Sequence, residues 1–442
     1  MSTHRDTYSS HPYYDYEDEK KKVFGDAIIL LISTLTFVEF RLIGRLFLSE
    51  IILLGLLPFL LFSKGWMLWE PLPKKLITLG ILWLCAQVIT DLIRATPFQD
   101  YIRGWAKITL FLAHFAALYM LLYGNKRRLI LFALGLVFSE FLAYKFNIDR
   151  PFSHARSHPW KFGVGAPITL LLILISTTTF VSRMRLLPSF ILFFLALLNL
   201  YMGFRSLAGV CFLAAVYTFT QQYFAAIVDV SVRLSLKKVA FISLLIIGAG
   251  VSFFKFYEYA AENYWLGERA RRLVRLQSGS FGVLLGGRTG IYSATKAIMD
   301  SPLIGHGSWA KNPDYIDALR DLEKYGYTIR SLKTSYRSGL IPTHSYLLGG
   351  WVESGILGAV FWGWVLILTA KTFFYQYNIR DPLNPLVAYI GIGLVWSIMF
   401  SPFGATGRLA TAFFLVLIMS VSQTSQTNGQ HTLDDNPSVP SQ

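Results

Sequence analysis

The stretch Pro342-Thr-His344-Ser-Tyr-Leu-Leu-Gly-Gly-Trp-Val-Glu353-Ser-Gly-Ile-Leu-Gly358 begins as a polar loop and continues into a long apolar helix that carries an acid. His344 is therefore expected where the chain leaves water and enters a membrane. An imidazole titrates near neutral pH, so at such a boundary it can exchange a proton with a substrate that lies partly in lipid. This placement predicts an enzyme that works at a membrane surface.

The composition of the whole chain predicts a polytopic membrane protein. Hydrophobic residues make up 54% of its 442 residues and charged residues only 15%, with a mean hydropathy of +0.46. Ordinary soluble domains carry about 25% charged residues. Apolar runs near the roughly 20 residues needed to cross a bilayer recur along almost the whole length, which predicts an all-α fold of about twelve transmembrane helices. These runs are 25–41, 46–63, 75–94, 106–123, 128–145, 163–181, 187–203, 206–226, 239–256, 346–370, 385–401 and 408–422.

Two polar segments flank the predicted spans. Residues 1–24 are crowded with Tyr, Asp, Glu and Lys and show no apolar stretch followed by a cleavage site, so we predict a cytoplasmic tail and no signal peptide. Residues 423–442 are rich in Gln, Ser, Thr and Asn, which predicts a disordered cytoplasmic tail. Cys85 and Cys211 fall inside predicted spans, where they are expected to be small apolar packing residues.

Lys and Arg in the short loops predict the orientation. Basic clusters precede the first span and follow the second, fourth, sixth and eighth, which makes that side cytoplasmic. Spans 1–9 then occupy 25–256 and spans 10–12 occupy 345–422, with residues 257–344 as one large periplasmic loop between spans 9 and 10. A connection of this length is usually functional or has its own structure. We predict helices in it at Glu262–Leu276, Ile291–Asp300 and Pro313–Tyr325.

The predicted outer side is rich in cations. Residues 257–344 hold twelve Lys and Arg against eight Asp and Glu, a net charge of +4, and the loop after the fifth span adds Lys145, Arg150, Arg156 and Lys161. Outer-face cations oppose the usual orientation bias and need another reason. An anionic substrate supplies one, because Arg matches the oxygens of phosphate. Contact with lipid headgroups or solvent is the alternative interpretation.

Three residues are candidates for chemistry. Arg205 lies between two spans with almost no loop, where a cation is costly unless it has a partner or a function; snorkelling to the interface is the alternative. Arg288 stands in Gly286-Gly287-Arg288-Thr-Gly290 at the start of a helical stretch, a setting that favours anions, although most glycine-rich turns are only turns. His344 is the candidate proton acceptor, with a structural histidine as the alternative.

Glu353 is not expected to contact His344. Nine residues at about 100° each place the two on opposite faces of a helix, roughly 13 Å apart along its axis, so Glu353 is predicted to be a supporting or interhelical group. Glycines at 349, 350, 355, 358 and 363 favour close helix packing. The sequence contains no Walker loop, zinc-spaced ligands or Asp-x-Asp pair, so we predict no metal and no cofactor.

These residues resemble the motifs of a known family. His344-Ser345 followed by Glu353-Ser-Gly-Ile-Leu-Gly358 is similar to a His-Asn or His-Ser pair that precedes Glu-x-Gly-x-x-Gly at the start of a span. The stretch from Gly287-Arg288 to Pro302-Leu-Ile-Gly-His-Gly307 resembles an Arg, a helix and Pro-x-x-Gly-x-Gly. Arg205-Ser resembles a Ser-Arg-Gly/Ser turn with Phe in place of the first Ser. The family is the O-antigen ligase and polymerase superfamily of bacterial envelopes, in which Trp is common where this chain has Tyr292.

The resemblance implies a metal-independent glycosyltransferase in the bacterial inner membrane, with its active site facing the periplasm. It implies an undecaprenyl-diphosphate-linked glycan as donor, bound through its diphosphate by Arg205 and Arg288. It implies that His344 acts as general base on the acceptor hydroxyl or orients that hydroxyl, with Glu353, Tyr292 and Arg337 as supporting residues. A ligase transfers the glycan to the lipid A–core oligosaccharide, whereas a polymerase transfers it to another carrier-linked repeat unit.

The large predicted loop beside the last three spans favours the ligase, and the polymerase stays open as the alternative. Besides the glycan donor and acceptor, the lipid bilayer is the expected partner, and nucleic acid is not expected. A flippase is a third possibility. Such a transporter is expected to show charged or broken spans near the midplane, and here the notable charges lie at span ends.

Overall fold

The computed structural model describes residues 12–41, 44–146, 158–227, 236–277, 288–325, 336–377, 379 and 381–434. About 82% of the structure is helical, which confirms the predicted all-α class. A two-stranded antiparallel hairpin of β1 (Glu39–Arg41) and β2 (Arg45–Phe47) is the small exception in the described residues, with Glu39 opposite Phe47 and Phe40 opposite Leu46.

Helices make up most of the described residues. In chain order they are α1 Pro12–Thr34, α2 Leu48–Lys64, α3 Pro71–Ile93, α4 Phe98–Leu122, α5 Lys126–Lys145, α6 Gly165–Ser176, α7 Thr179–Arg183, α8 Leu187–Tyr201, α9 Arg205–Ile227, α10 Leu236–Glu262, α11 Gly267–Gln277, α12 Gly290–Asp300, α13 Pro313–Asp321, α14 Tyr346–Ser354, α15 Ile356–Gln376, α16 Asn384–Phe400 and α17 Ala405–Asp434. Short 3-10 turns occupy Leu35–Phe37, Gly65–Trp69 and Leu322–Tyr325, and a π-helical turn occupies Trp160–Val164.

Among the described residues, five helices are long and apolar enough to cross a membrane, which supports a membrane protein. They are Leu48–Trp69, Pro71–Ile93, Phe98–Leu122, Ile356–Gln376 and Ala405–Ser422. Trp160–Ser176, Leu187–Tyr201 and Asn384–Phe400 are also apolar but shorter. The structure therefore supports a chain embedded in a lipid bilayer, while the count of twelve spans and the side on which each loop lies stay predictions.

The predicted span 346–370 is not one helix. Gly355 has a φ of +67°, in the left-handed region, and it separates α14 from α15. A Cβ at this position would lie 2.0 Å from the carbonyl oxygen of Leu303, so only glycine fits. Hydropathy does not register this break, because glycine inside an apolar run hardly changes the average. The break positions the functional candidates described below.

The limits of two other predicted segments also differ from the structure. The first span, predicted at 25–41, ends as a helix at Thr34 and continues into β1, where Glu39 accepts hydrogen bonds from Arg41 and Arg45. The last helix extends to Asp434, beyond residue 423 where the tail was predicted to begin, and α1 begins at Pro12 within the predicted N-terminal tail.

An aromatic core joins the helices that carry the site. Trp83 of α3 stacks on Phe361 of α15 with ring centroids 5.0 Å apart; Trp362 packs against both rings, and Phe403 packs against Trp83 and Trp362. The indole N–H of Trp83 donates to Ser354 Oγ at 2.8 Å, at the last residue of α14. Offset and edge-to-face aromatic pairs add about 0.5–1.5 kcal/mol each beyond area burial. The cluster therefore fixes the helix break against α3.

A buried ion pair lies elsewhere in the core. Arg408 of α17 donates to both carboxylate oxygens of Glu50 on α2, at 2.6 and 2.5 Å. Both side chains are nearly inaccessible, and His114 Nδ1 of α4 lies 3.6 Å from the same carboxylate. A two-pronged contact satisfies much of the hydrogen-bonding capacity of both ions. This pair ties the last helix to the second.

Candidate functional site

The two glycine-rich motifs meet through their backbones. The N–H of His306 donates to the carbonyl of Val352 at 2.7 Å, and the N–H of Gly307 donates to the carbonyl of Glu353 at 3.0 Å. Gly305 and Gly307 have φ angles of +87° and +90°, which side chains other than glycine rarely adopt. The loop after α12 thus occupies the break between α14 and α15, and it satisfies carbonyls at the end of α14.

The end of α3 holds this loop in place. Buried Asp91 accepts hydrogen bonds from Ser308 N at 2.6 Å, Ser308 Oγ at 2.7 Å and Trp105 Nε1 at 2.8 Å. Arg94 donates to the carbonyl of Gly305 at 3.0 Å and to Ser301 Oγ at 2.7 Å. Sequence reasoning missed both residues. The available signal was an ionisable side chain near the end of an apolar span, which is costly unless satisfied.

His344 directly precedes Ser345, which is the N-cap of α14. The Ser345 hydroxyl accepts from Leu348 N at 3.0 Å and donates to the carbonyl of Ile398 at 2.7 Å, so the backbone next to His344 is anchored on both sides. The His344 ring faces the first residue of α12: a Cβ at Gly290 would lie 2.6 Å from Nδ1. The predicted Arg288 turn and the predicted His344 loop are therefore in contact.

Three cations lie near one another, and one of them, Arg288, acts on His344; we call Lys161, Arg205 and Arg288 the basic cluster. Arg205 begins α9, with its guanidinium 5.3 Å from the ring centre of Tyr257. Arg288 directly precedes α12, 5.7 Å from the ring centre of Trp396. Lys161 lies in the π-helical turn that precedes α6. Helices distant in sequence thus supply one group of positive charges, each arginine resting on an aromatic face.

Desolvation and mutual repulsion lower the pKa of two members of this cluster. Desolvation lowers the pKa of Arg288, and the positive charge of Arg205 adds to the effect. Desolvation also lowers the pKa of Lys161, with further contributions from Arg205, Arg288 and Arg269. Like charges disfavour one another over a few ångströms. An anion bound among them relieves that repulsion, so the cluster is suited to phosphate.

The same field acts on the histidine. His344 is open to solvent in part, but the surrounding protein desolvates it enough to lower its pKa, and the charge of Arg288 acts in the same direction. The imidazole is therefore neutral at neutral pH. A neutral imidazole accepts a proton, which is the protonation state that a general base needs.

His344 also borders a cavity of about 460 Å³, which we call the aromatic cavity. Its wall includes Trp83, Lys107, Trp309, His344, Glu353 and Phe403. This volume is within the range of pockets that bind small molecules, about 300–1,000 Å³. His344 therefore borders the aromatic cavity and lies within the influence of Arg288 of the basic cluster.

Glu353 also lines this cavity without contacting His344. Its Oε2 accepts from Lys107 Nζ of α4 at 2.5 Å. His344 precedes the helix, so the helical spacing used to separate the two does not describe their actual arrangement. Lys107 lies within a predicted span, and nothing in the sequence indicated that it pairs with Glu353.

The remaining predicted site residues make fewer contacts. Tyr292 is exposed on the first turn of α12, and Arg337 is exposed in a helical turn at 336–338. Neither side chain forms a hydrogen bond, ion pair or ring contact within the part of the chain that the structure describes. The predicted glycines at 286 and 287 lie outside the described residues.

The described residues contain no group of three or more His, Cys, Asp or Glu side chains arranged to hold a metal ion. No protein-family model and no curated protein matches the chain. The side chains of the site therefore provide the basis for its function.

Proposed function

We propose that this chain is a membrane glycosyltransferase of the O-antigen ligase type. It transfers a glycan from undecaprenyl diphosphate to the lipid A–core oligosaccharide at the periplasmic face of the bacterial inner membrane. One observation carries the proposal: His344 borders the aromatic cavity and packs against the Gly290 turn that follows Arg288 of the basic cluster, so a proton acceptor adjoins both sites. A proton acceptor between an anion site and a second pocket is what transfer from a phosphate-linked donor to a hydroxyl requires.

The reaction is a single displacement at the anomeric carbon. The acceptor hydroxyl gives its proton to His344 as its oxygen bonds to the anomeric carbon of the donor sugar. The bond from that carbon to the diphosphate oxygen breaks, and the electron pair leaves with the lipid diphosphate. The imidazolium then returns its proton to the leaving diphosphate or to water, which restores the neutral base.

The basic cluster supplies the electrostatic part of this mechanism. Charge increases on the diphosphate as the bond to the sugar breaks, so fixed cations stabilise the transition state more than the ground state. Arg205 and Arg288 offer planar forks that match phosphate oxygens, whereas Lys161 adds a point charge. Their contacts with Tyr257 and Trp396 hold the guanidinium groups in place before the donor binds.

A lipid-linked donor agrees with the apolar surroundings of the site. Lys161 lies at the start of the apolar helix that begins at Trp160, and Trp396, on which Arg288 rests, lies near the end of the apolar helix that ends at Phe400. A diphosphate bound there leaves its polyprenyl chain free to extend beside those helices into lipid.

The test is complementation of a deletion strain with full-length variants. His344→Ala, Arg205→Ala and Arg288→Ala are each expected to abolish attachment of polysaccharide while the protein still folds and inserts. Arg127→Ala, an exposed arginine at the start of α5 outside the predicted site, serves as the control and is expected to retain activity. Full activity in all three site variants would refute the catalytic assignment.

The products of the deletion strain identify the acceptor. A ligase is indicated if long chains disappear from lipid A while carrier-linked polymer persists. Single-repeat products indicate a polymerase, which uses the same donor chemistry with a carrier-linked acceptor.

A further inference from the structure

Trp309 has an unusual backbone conformation. Its φ is +53°, in the left-handed region that bulky residues rarely occupy. Strained conformations of this kind persist where the surrounding structure fixes them, and they concentrate at ligand-binding sites. The backbone of Trp309 is therefore expected to be fixed by its neighbours, with its side chain available to a ligand.

Contacts on both sides hold the Trp309 backbone in place. On the preceding side, Ser308 is bound through its N–H and its hydroxyl to buried Asp91, at 2.6 and 2.7 Å. On the following side, the carbonyl of Ala310 accepts from Ile341 N at 3.0 Å, and Lys311 Nζ contacts Asp100 Oδ2 at 2.7 Å. The residue is thus clamped between the end of α3 and the strand-like segment that leads to His344.

The indole itself is not buried by this clamp. Trp309 remains 39% exposed and forms part of the wall of the aromatic cavity, which also contains Lys107, Glu353 and His344. A large apolar ring that stays exposed at a cavity wall is not stabilised by packing against the protein. Contact with a bound ligand can supply that packing. The ring offers a flat face, while the Lys107–Glu353 pair offers a donor and an acceptor.

We propose that the aromatic cavity is the acceptor subsite, in which Trp309 stacks against the pyranose ring of the acceptor's terminal sugar. The inference rests on the proposed function and deepens it. Pyranose rings carry a face of C–H groups that packs on the positive-edged, negative-faced aromatic system. Lys107 and Glu353 bond the equatorial hydroxyls, and the reactive hydroxyl is directed to His344.

The charged pair distinguishes a sugar from a lipid chain as the occupant. The side chains of Lys107 and Glu353 are 12% and 19% exposed, and both line the cavity. An acyl chain would remove that water and return no hydrogen bond, which is unfavourable for charged groups. Sugar hydroxyls replace water with donors and acceptors of the same kind.

The experiment is transfer by the purified full-length chain in nanodiscs, with donor and acceptor glycolipids extracted from the deletion strain. Trp309→Ala is expected to raise the KM for the acceptor at least tenfold and to leave the KM for the donor within twofold. Trp309→Phe keeps an aromatic face and is expected to stay within threefold of wild type. Trp66→Ala is the matched control, because Trp66 is also exposed but lies in the turn before α3, whereas Trp309 lies near the C-terminal end of α3. This variant is expected to change neither KM.

If Trp309→Ala fails to fold, Trp309→Leu replaces it, because leucine keeps apolar bulk without the flat face. An acceptor KM near wild type in the folded variant, or an equal rise in both KM values, would overturn the subsite while leaving the transferase intact. Absence of transfer by the wild-type chain would instead overturn the proposed function, and the subsite with it.

Discussion

Gly290 and the imidazole of His344 are in direct contact: a Cβ at position 290 would lie 2.6 Å from Nδ1 and 3.1 Å from the carbonyl oxygen of Pro342. The first residue of α12 is therefore the surface on which the histidine rests. Arg288 lies two residues earlier, so the same turn positions a cation and the ring that this cation influences.

Gly290→Ala is expected to lower transfer at least tenfold without unfolding the chain, because the new methyl group would lie 2.6 Å from Nδ1 and the His344 ring must move by roughly an ångström to clear it. Misplacement on this scale costs about 100-fold in well-oriented reactions. Gly363→Ala is the matched control, since a Cβ there meets nothing within 4 Å. Equal loss in both variants would point to a general effect on helix packing.

The pH dependence of the reaction follows from the lowered pKa of His344. The base must be neutral, so kcat/KM is expected to rise with pH and to reach half its maximum below 6.5, the ordinary histidine value. Arg288→Gln removes a charge that lowers this pKa, so the residual activity of that variant is expected to reach its half-maximum at a higher pH. Arg288→Lys keeps the charge and should keep the midpoint. A midpoint above 6.5 in the wild type would contradict the assignment.

The basic cluster predicts that cations of the chain itself, not a metal, stabilise the leaving diphosphate. EDTA is expected to leave the rate of the purified enzyme unchanged, whereas Arg205→Ala and Arg288→Ala each lower kcat about 100- to 1,000-fold, the usual cost of removing one transition-state donor. Initial rates in the presence and absence of chelator make the comparison. A collapse of wild-type activity in EDTA that added Mg²⁺ restores would refute this prediction.

The Glu50–Arg408 pair is expected to dominate stability outside the site. Removing one partner leaves a buried charge unpaired, so Glu50→Ala and Arg408→Ala should each cost about 3–5 kcal/mol. Replacing both residues by apolar ones of similar size should cost far less. Lys126→Ala breaks the exposed pair with Asp381, and it should cost at most about 1 kcal/mol. Thermal unfolding in detergent measures the stability of these four variants.

Gly355→Ala is expected to prevent formation of the site. The new methyl group would lie 2.0 Å from the carbonyl oxygen of Leu303 and would require a left-handed alanine. Gly55→Ala in α2, where a Cβ meets nothing within 4 Å, controls for the loss of glycine. The yield of folded protein by size-exclusion chromatography provides the measurement; normal yield and activity would show that the break tolerates a side chain.

Part of the site was accessible to sequence reasoning because its signals are local. Arg205, Arg288 and His344 each stand at a change from polar to apolar sequence, where an ionisable group is conspicuous on its own. Lys107 and Asp91 carry the same chemistry but lie within or near the end of apolar runs, and their roles depend on partners that sequence does not indicate. Trp309 is one of eleven tryptophans, and only its backbone conformation sets it apart.

The sequence by itself determined the all-α class and the membrane environment, because hydropathy sums over neighbouring residues and needs no knowledge of contacts. Only the tertiary structure decided that α14 ends at Gly355, that a loop from another helix occupies the break, and that His344 faces both a basic cluster and an aromatic cavity. The contacts that create these features join Lys107 to Glu353 across 246 residues and Trp83 to Ser354 across 271. Periodicity extends over a few helical turns, so it carries no information about such pairs.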